Sequence, residues 1–261
     1  MVTSSAKLMR KASREGYAIP SFGIDNLESA MAVSEVMHEM RIPVIISTVP
    51  QTLDYGGIAM YTAMMRELMA DCSVDYAFHL DHGDSLSLIK KCIASGYTSV
   101  MFDGSEYSYA ENLTKTKEVT DYALLMNVSI EGKLSNPDVE QALEFITKTN
   151  ISSLAVGSGI PKGKTMPEFN IKKVAEIHSA TETPLVLHGA SGMSDDDIRD
   201  CIAAGISKIN FSTELRHAFT EGLKDGIAQN PDSFDPKVYL RNSVDNMKEV
   251  IKHKIKICYN I

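Results

Sequence analysis

The feature that most constrains this chain is a regular alternation of short apolar runs with longer segments of helical periodicity. Eight runs are nearly continuously apolar before they end in polar residues or glycine. They span residues 17–24, 43–48, 76–82, 99–104, 128–134, 152–159, 184–189 and 207–212. Such runs are typical of parallel strands that are buried on both faces.

Helical segments with apolar spacings of three and four lie between the runs. The clearest are residues 26–40, 57–72, 111–127, 137–150 and 194–205. Pro137 is expected in a first turn, and Ser194 precedes three acidic residues in a segment that stops at Gly205. Eight such units predict an α/β fold, a closed (β/α)8 TIM barrel, with a doubly wound open sheet as the alternative.

Length and composition limit the number of domains, the kinds of partner and the expected compartment. The 261 residues suit one barrel domain over 1–261, with 232–261 as a C-terminal helical extension. The net charge of −8 and the lack of a basic block argue against nucleic acid or an anionic membrane as partner. Four scattered cysteines, no apolar export core near the N-terminus and no bilayer-length apolar run predict a cytoplasmic protein with reduced thiols.

Polar residues follow almost every predicted strand. They are Asp81 and His82, Asp103, Glu131 and Lys133, Lys162 and Gly163, His188 and Ser191, then Asn210, Ser212 and Thr213. Because the carboxyl ends of barrel strands share one rim, these side chains are expected to converge there. The sequence therefore predicts a functional site at this rim.

Two imidazoles and a carboxylate dominate that rim. His82 and His188 suit Zn²⁺ or a similar divalent ion, with Asp81 beside them. His79 shares strand parity with Asp81, so His82 must use the following turn to point inward.

A glycine-rich segment after the seventh run predicts a phosphate site. In "HGASG", the backbone N–H groups of Gly189, Ala190 and Ser191 are free to face a ligand, and a helix follows from Ser194. Barrels frequently hold phosphates at the loops after strands 7 and 8.

Three motifs carry a resemblance to a known family over essentially the whole chain. They are "HLDHGDSLSLIKKCIASGYTSVMFDGS", "PLVLHGASGMSDDDI" and "ISKINFSTEL". The chain resembles class II, metal-dependent fructose-bisphosphate and tagatose-bisphosphate aldolases, which implies a barrel assembled as a homodimer or homotetramer. It also implies Zn²⁺ bound by three histidines, which polarises the carbonyl of dihydroxyacetone phosphate and stabilises an enediolate.

The resemblance assigns roles residue by residue. Asp81 would protonate the aldehyde oxygen, His82 and His188 would bind the metal, and Asp103 would match a secondary metal position. The phosphate and ketone site would be lined by Gly163, Gly189, Ala190, Ser191, Asn210, Phe211, Ser212 and Thr213.

The chain also departs from the family pattern. Lys162 stands where the third histidine ligand is expected, and Lys133 stands where strand 5 carries a second glutamate. Val49 replaces a serine that contacts substrate, and a long proton-transfer loop after strand 5 is missing.

These departures leave three hypotheses. The first is a metal-using lyase in which Asp103 or Glu131 completes the ligand set. The second is a metal-free enzyme in which Lys162 or Lys133 supplies positive charge or a Schiff-base amine. The third is a non-catalytic protein that binds a phosphorylated sugar.

Overall fold

The computed structural model describes residues 1–156 and 170–261, in which eight parallel strands close into a barrel. In chain order, β1–β8 are Ile19–Gly23, Val44–Thr48, Tyr76–Gly83, Ser99–Phe102, Ser129–Lys133, Ser153–Ala155, Leu185–Leu187 and Ile206–Phe211. Each strand pairs in parallel with its sequence neighbours, and β8 pairs with β1. The predicted TIM barrel is thereby confirmed, and the open sheet is excluded.

The same part of the chain contains eleven helices. In chain order, α1–α11 are Ser5–Glu15, Leu27–Met40, Pro50–Gly56, Ile58–Leu68, Leu86–Ser95, Tyr109–Leu125, Val139–Thr149, Ile171–Ala180, Asp195–Ala203, Thr213–Gln229 and Pro236–Tyr259.

Local side-chain caps explain where the helices begin. Ser194 caps α9 as predicted. Its hydroxyl accepts from the backbone N–H of Asp197, and the Asp197 carboxylate accepts from the backbone N–H of Ser194. At α7 the expectation was wrong in detail. Pro137 lies before the helix, and the Asp138 carboxylate is the cap, accepting from the N–H of Gln141.

The sequence patterns did not predict α1, which closes the bottom of the barrel. Leu8, Met9 and Ala12 on one face of α1 pack against the inward side chains Ile45 and Ala77. Burying a Leu or Met in this way contributes about 1.5–3 kcal/mol relative to leaving it in water. Because α1 fills one end, ligands have access to the interior from the opposite rim.

Two further expectations concern cysteines and membranes. Cys72, Cys92, Cys201 and Cys258 are all buried free thiols. Among residues 1–156 and 170–261, no helix combines the length and apolar character needed to cross a bilayer.

Candidate functional site at the carboxyl rim

Asp81, His82 and His188 form a compact cluster at the carboxyl ends of β3 and β7. His188 Nδ1 lies 3.3 Å from His82 Nε2. Asp81 Oδ1 lies 3.8 Å from His188 Nδ1 and 3.9 Å from His82 Nε2. Three potential ligand atoms therefore face one another across a gap of atomic size.

The backbone of β3 explains how two consecutive residues reach the same cluster. Asp81 points inward by ordinary strand alternation, which would turn His82 outward. The strand register shifts between Leu80 and Gly83, and His82 adopts a left-handed φ of 53°. The prediction that His82 uses a turn to face the axis is confirmed.

Each imidazole is oriented by a carboxylate on its far side. His82 Nδ1 lies 2.5 Å from Asp103 Oδ2, and His188 Nε2 lies 2.7 Å from Glu131 Oε1. In the tautomers that donate these N–H groups to the carboxylates, the other ring nitrogens direct lone pairs toward the cluster. This carboxylate–histidine arrangement is typical of metal-binding imidazoles.

The cluster is suited to a divalent cation. In a tetrahedral zinc site with bonds of about 2.1 Å, neighbouring ligand atoms are about 3.4 Å apart. The two imidazole nitrogens approach this spacing. Within residues 1–156 and 170–261, the buried Asp81 Oδ1 has no hydrogen-bond partner, as expected of an oxygen reserved for a ligand. The residues present therefore fit a metal ion.

The pKa values follow from burial and neighbouring charge. Burial alone would raise the pKa of Asp81, but the nearby His188, His82 and Lys208 outweigh it and lower the pKa. Burial alone would lower the pKa of His82, but the hydrogen bond to Asp103 and the Asp81 charge raise it. Asp81 is therefore held as a carboxylate.

A buried ionic layer lies directly beneath the cluster. Lys208 Nζ donates to Glu131 Oε2 at 2.7 Å and lies 3.2 Å from His79 Nε2. Lys208, Glu131 and His79 are each at most 1% exposed. Burial, and then the Lys208 charge, lowers the pKa of His79 to about 3, so this imidazole is neutral and can accept from the ammonium. Lys208 thus balances the charge of the carboxylate that orients His188.

A cavity of about 340 Å³ opens above the cluster. Of the residues predicted for the phosphate and ketone site, those lining the cavity are Gly189, Ser191, Asn210, Ser212 and Thr213. The Asn210 amide also donates to Asp81 Oδ2 at 3.0 Å.

The structure distinguishes two helix N-termini near this cavity. Ser212 precedes α10 without making a side-chain cap, so the first N–H groups of α10 remain available beside the cavity. The start of α9 is already satisfied by Ser194 and is surrounded by three aspartates. A phosphate is therefore better accommodated at α10 than at α9.

Other predicted site residues take different positions. Phe211 packs its ring in the core, 6.0 Å from Phe22, and the Ala190 side chain is also buried in the core. Lys133 donates to Asp103 Oδ2 at 3.0 Å. Lys162 and Gly163 lie outside the described residues.

The two acids considered as extra metal ligands are bound elsewhere. Asp103 contacts the outer nitrogen of His82 and also Lys133, while Glu131 contacts the outer nitrogen of His188. The carboxylate that shares the cluster with the imidazoles is Asp81.

Sequence reasoning missed several residues of the site. In the sequence, Lys208 is only a polar residue within an apolar strand. For His79 the sequence indicates only that it lies on the same face of its strand as Asp81. Gln51 and Arg216 also line the cavity, although each lies in a helix. A lysine inside a buried strand was the available signal for Lys208, since such a charge needs a partner.

A closed parallel barrel with imidazole, carboxylate and amide groups at its carboxyl rim defines the class: a (β/α)8 barrel with a rim site. The family model described as "Fructose-bisphosphate aldolase class-II" matches residues 3–261. The chain therefore belongs to the class II fructose-bisphosphate aldolase family, whose members are typically metal-dependent.

Solved structures agree with this assignment. The YdjI aldolase from Escherichia coli K12 is 32% identical, with a TM-score of 0.89 over 99% of this chain and 97% of that chain. A fructose-bisphosphate aldolase from Campylobacter jejuni is 21% identical, with a TM-score of 0.89 over 100% and 96%. A putative fructose-1,6-biphosphate aldolase from Coccidioides immitis is 21% identical, with a TM-score of 0.86 over 97% and 95%. The last two similarities concern the fold alone.

Proposed function

We propose that this protein is a lyase that reversibly cleaves a phosphorylated ketose into dihydroxyacetone phosphate and an aldehyde. The observation that carries the proposal is the cluster of Asp81, His82 and His188, in which one ring nitrogen of each imidazole contacts an outer carboxylate and the other faces the buried Asp81 oxygen. Membership in the class II aldolase family supports the reaction type.

His82 and His188 would hold Zn²⁺, with Asp81 adjacent. When bound, the ion supplies a Lewis acid that stabilises negative charge developing at the substrate carbonyl. The N–H groups at the start of α10, with Ser212 and Thr213, would bind the phosphate.

Asp81 would carry out proton transfer at the aldehyde oxygen. In the cleavage direction the C3–C4 bond breaks, the C4 hydroxyl gives its proton to the Asp81 carboxylate, and C3 takes a proton that comes ultimately from solvent. In condensation C3 first loses a proton that passes ultimately to solvent, the C3–C4 bond then forms, and Asp81 returns its proton to the aldehyde oxygen. The lowered pKa keeps Asp81 ionised, as the cleavage direction requires.

The test is release of dihydroxyacetone phosphate from fructose and tagatose phosphates by the zinc-loaded protein. We expect His188→Ala to reduce turnover to below about 1% of the unsubstituted protein, since it removes a ligand at the reacting centre. His253→Ala is the matched control, because His253 is an exposed residue of α11 that pairs with Asp195.

The other hypotheses predict different results. A phosphorylated sugar that raises the Tm without being consumed would indicate a non-catalytic binder. Borohydride trapping of the sugar on a lysine, with turnover that survives His188→Ala, would indicate the metal-free enzyme.

A further inference from the structure

A second cavity, of about 420 Å³, adjoins the cavity above the cluster of Asp81, His82 and His188. Gln51 and Arg216 line both cavities. We call the second one the adjoining cavity. It lies between the carboxyl end of β1 and the helices α3 and α10, and its walls include Gly23, Asp25 and Phe219.

The two cavities also meet where Gly23 contacts Ser212. A Cβ placed on Gly23 would lie 2.2 Å from the Ser212 Oγ. Ser212 lines the cavity above the cluster, whereas Gly23 lines the adjoining cavity. Because Gly23 has no side chain, only its backbone and the Ser212 side chain separate the two cavities at this point. A substrate held by its phosphate at α10 has space to extend its other half into the adjoining cavity.

The charges around the adjoining cavity cancel. Among the described residues that line it, Arg216 is the only cation and Asp25 the only anion. Arg216 donates from Nε to Asp25 Oδ2 at 2.6 Å and from Nη2 to Oδ1 at 3.0 Å. The Thr52 hydroxyl also donates to Asp25 Oδ1 at 2.8 Å. The pair is bidentate, so the guanidinium is already occupied by a carboxylate.

The remaining lining combines apolar surface with neutral polar groups. Leu215, Phe219 and Met247 supply the apolar surface, and Gln51 and Thr52 supply amide and hydroxyl groups. A phosphate dianion entering here would meet a guanidinium that is already paired with the Asp25 carboxylate, so it would give up its hydration without gaining a free cation. An uncharged hydroxylated chain meets no such penalty, because its hydroxyl groups can bond to the neutral polar groups.

We propose that the adjoining cavity receives the aldehyde half of the substrate and selects an uncharged one, so that the substrate is a ketose monophosphate rather than a bisphosphate. This inference rests on the proposed lyase function and names the substrate class of the same site. Asp25 is the residue that determines this specificity, through its pairing with Arg216.

The experiment compares two aldehydes in condensation with dihydroxyacetone phosphate on the zinc-loaded full chain. The aldehydes are glyceraldehyde, which is uncharged, and glyceraldehyde 3-phosphate. We expect kcat/KM for glyceraldehyde to exceed that for the phosphorylated aldehyde at least about tenfold, a difference of about 1.4 kcal/mol.

A pair of variants examines the role of Asp25. In Asp25→Asn, Arg216 loses its anionic partner, so the ratio of kcat/KM values should move at least about tenfold toward the phosphorylated aldehyde. Asp54→Asn makes the same charge change at an exposed position of α3, and it should leave the ratio unchanged. Preference of the unsubstituted protein for glyceraldehyde 3-phosphate, or equal shifts in the two variants, would overturn the inference.

Exchange of the C3 proton of dihydroxyacetone phosphate with deuterated water, followed by NMR without any aldehyde, separates the two proposals. Exchange together with failure to use uncharged aldehydes overturns only the inference about the adjoining cavity. Absence of exchange overturns the proposed lyase function and the inference with it.

Discussion

At the scale of single residues, the site depends on charges that are buried and matched. Glu131 accepts from both Lys208 and His188, and all three side chains lie inside the barrel. Burial alone would raise the pKa of Glu131, but the Lys208 ammonium and the His188 hydrogen bond lower it. Glu131 therefore remains a carboxylate able to orient His188, provided that Lys208 stays in place.

Removing Lys208 should be costly because it leaves a buried carboxylate without its cation. We expect Lys208→Met to lower the free energy of unfolding by about 3–5 kcal/mol, measured by urea denaturation. The double variant Lys208→Met, Glu131→Gln should recover much of this loss, because neither charge then remains. Lys224→Met is the control, because the pair of Lys224 with Glu221 is exposed and screened by solvent, so this variant should leave the free energy of unfolding nearly unchanged. Strictly additive losses in the double variant would contradict this account.

Residues such as Lys208 show why part of the site could not be predicted from the sequence. Polar residues at strand ends were predictable, because parallel strands in a barrel share one carboxyl rim. Contacts across the barrel depend on register, and β5 and β8 are not neighbours in the sheet. The pairing of Glu131 with Lys208, and of Asp103 with Lys133, is therefore visible only in three dimensions.

At the scale of elements, two glycines allow α10 and α11 to approach backbone to backbone. A Cβ on Gly222 would lie 2.6 Å from the Asn242 carbonyl oxygen and from the Ser243 Cα. A Cβ on Gly226 would lie 2.6 Å from the Tyr239 carbonyl oxygen. Since α10 also carries Thr213 and Arg216, this packing fixes the helix whose first turn faces the site.

A methyl group at Gly222 should separate the two helices. We expect Gly222→Ala to destabilise the protein by about 1–3 kcal/mol, because overpacking outweighs the helix propensity that alanine gains. Asp225→Ala, at an exposed position of the same helix, should change stability by about 0.5 kcal/mol or less. Thermal denaturation followed by circular dichroism measures both, and a stabilised Gly222→Ala protein would show that the helices can move apart freely.

The elements differ in how well their sequences predict them. The strands were predictable because a run of apolar residues that ends in polar ones is a local signal. Helix α1 was not, because it is recognised by its packing against the bottom of the barrel. Its local signals are a Ser4 cap and a left-handed Gly16. They mark the ends of a helix, but they do not show that this helix closes one end of the barrel.

At the scale of the whole molecule, barrel closure brings together residues that are far apart in the chain. His82 and His188 are separated by 106 positions, yet their facing ring nitrogens are 3.3 Å apart. The site therefore exists only in the folded state, and an ion bound there should stabilise the fold by mass action. Occupation of this site by a metal ion and global stability should thus be linked.

Zinc should raise the Tm of the metal-depleted protein. At a free concentration about one hundred times the Kd, binding contributes about 2.7 kcal/mol, which corresponds to about 5–11 °C for a chain of this size. The rise should disappear in His188→Ala, because that variant loses one of the two facing imidazoles, and it should persist in His253→Ala. Differential scanning calorimetry with and without zinc measures the shift. An equal rise in His188→Ala would place the stabilising ion elsewhere on the molecule, and no rise in the unsubstituted protein would remove the metal from the proposed chemistry.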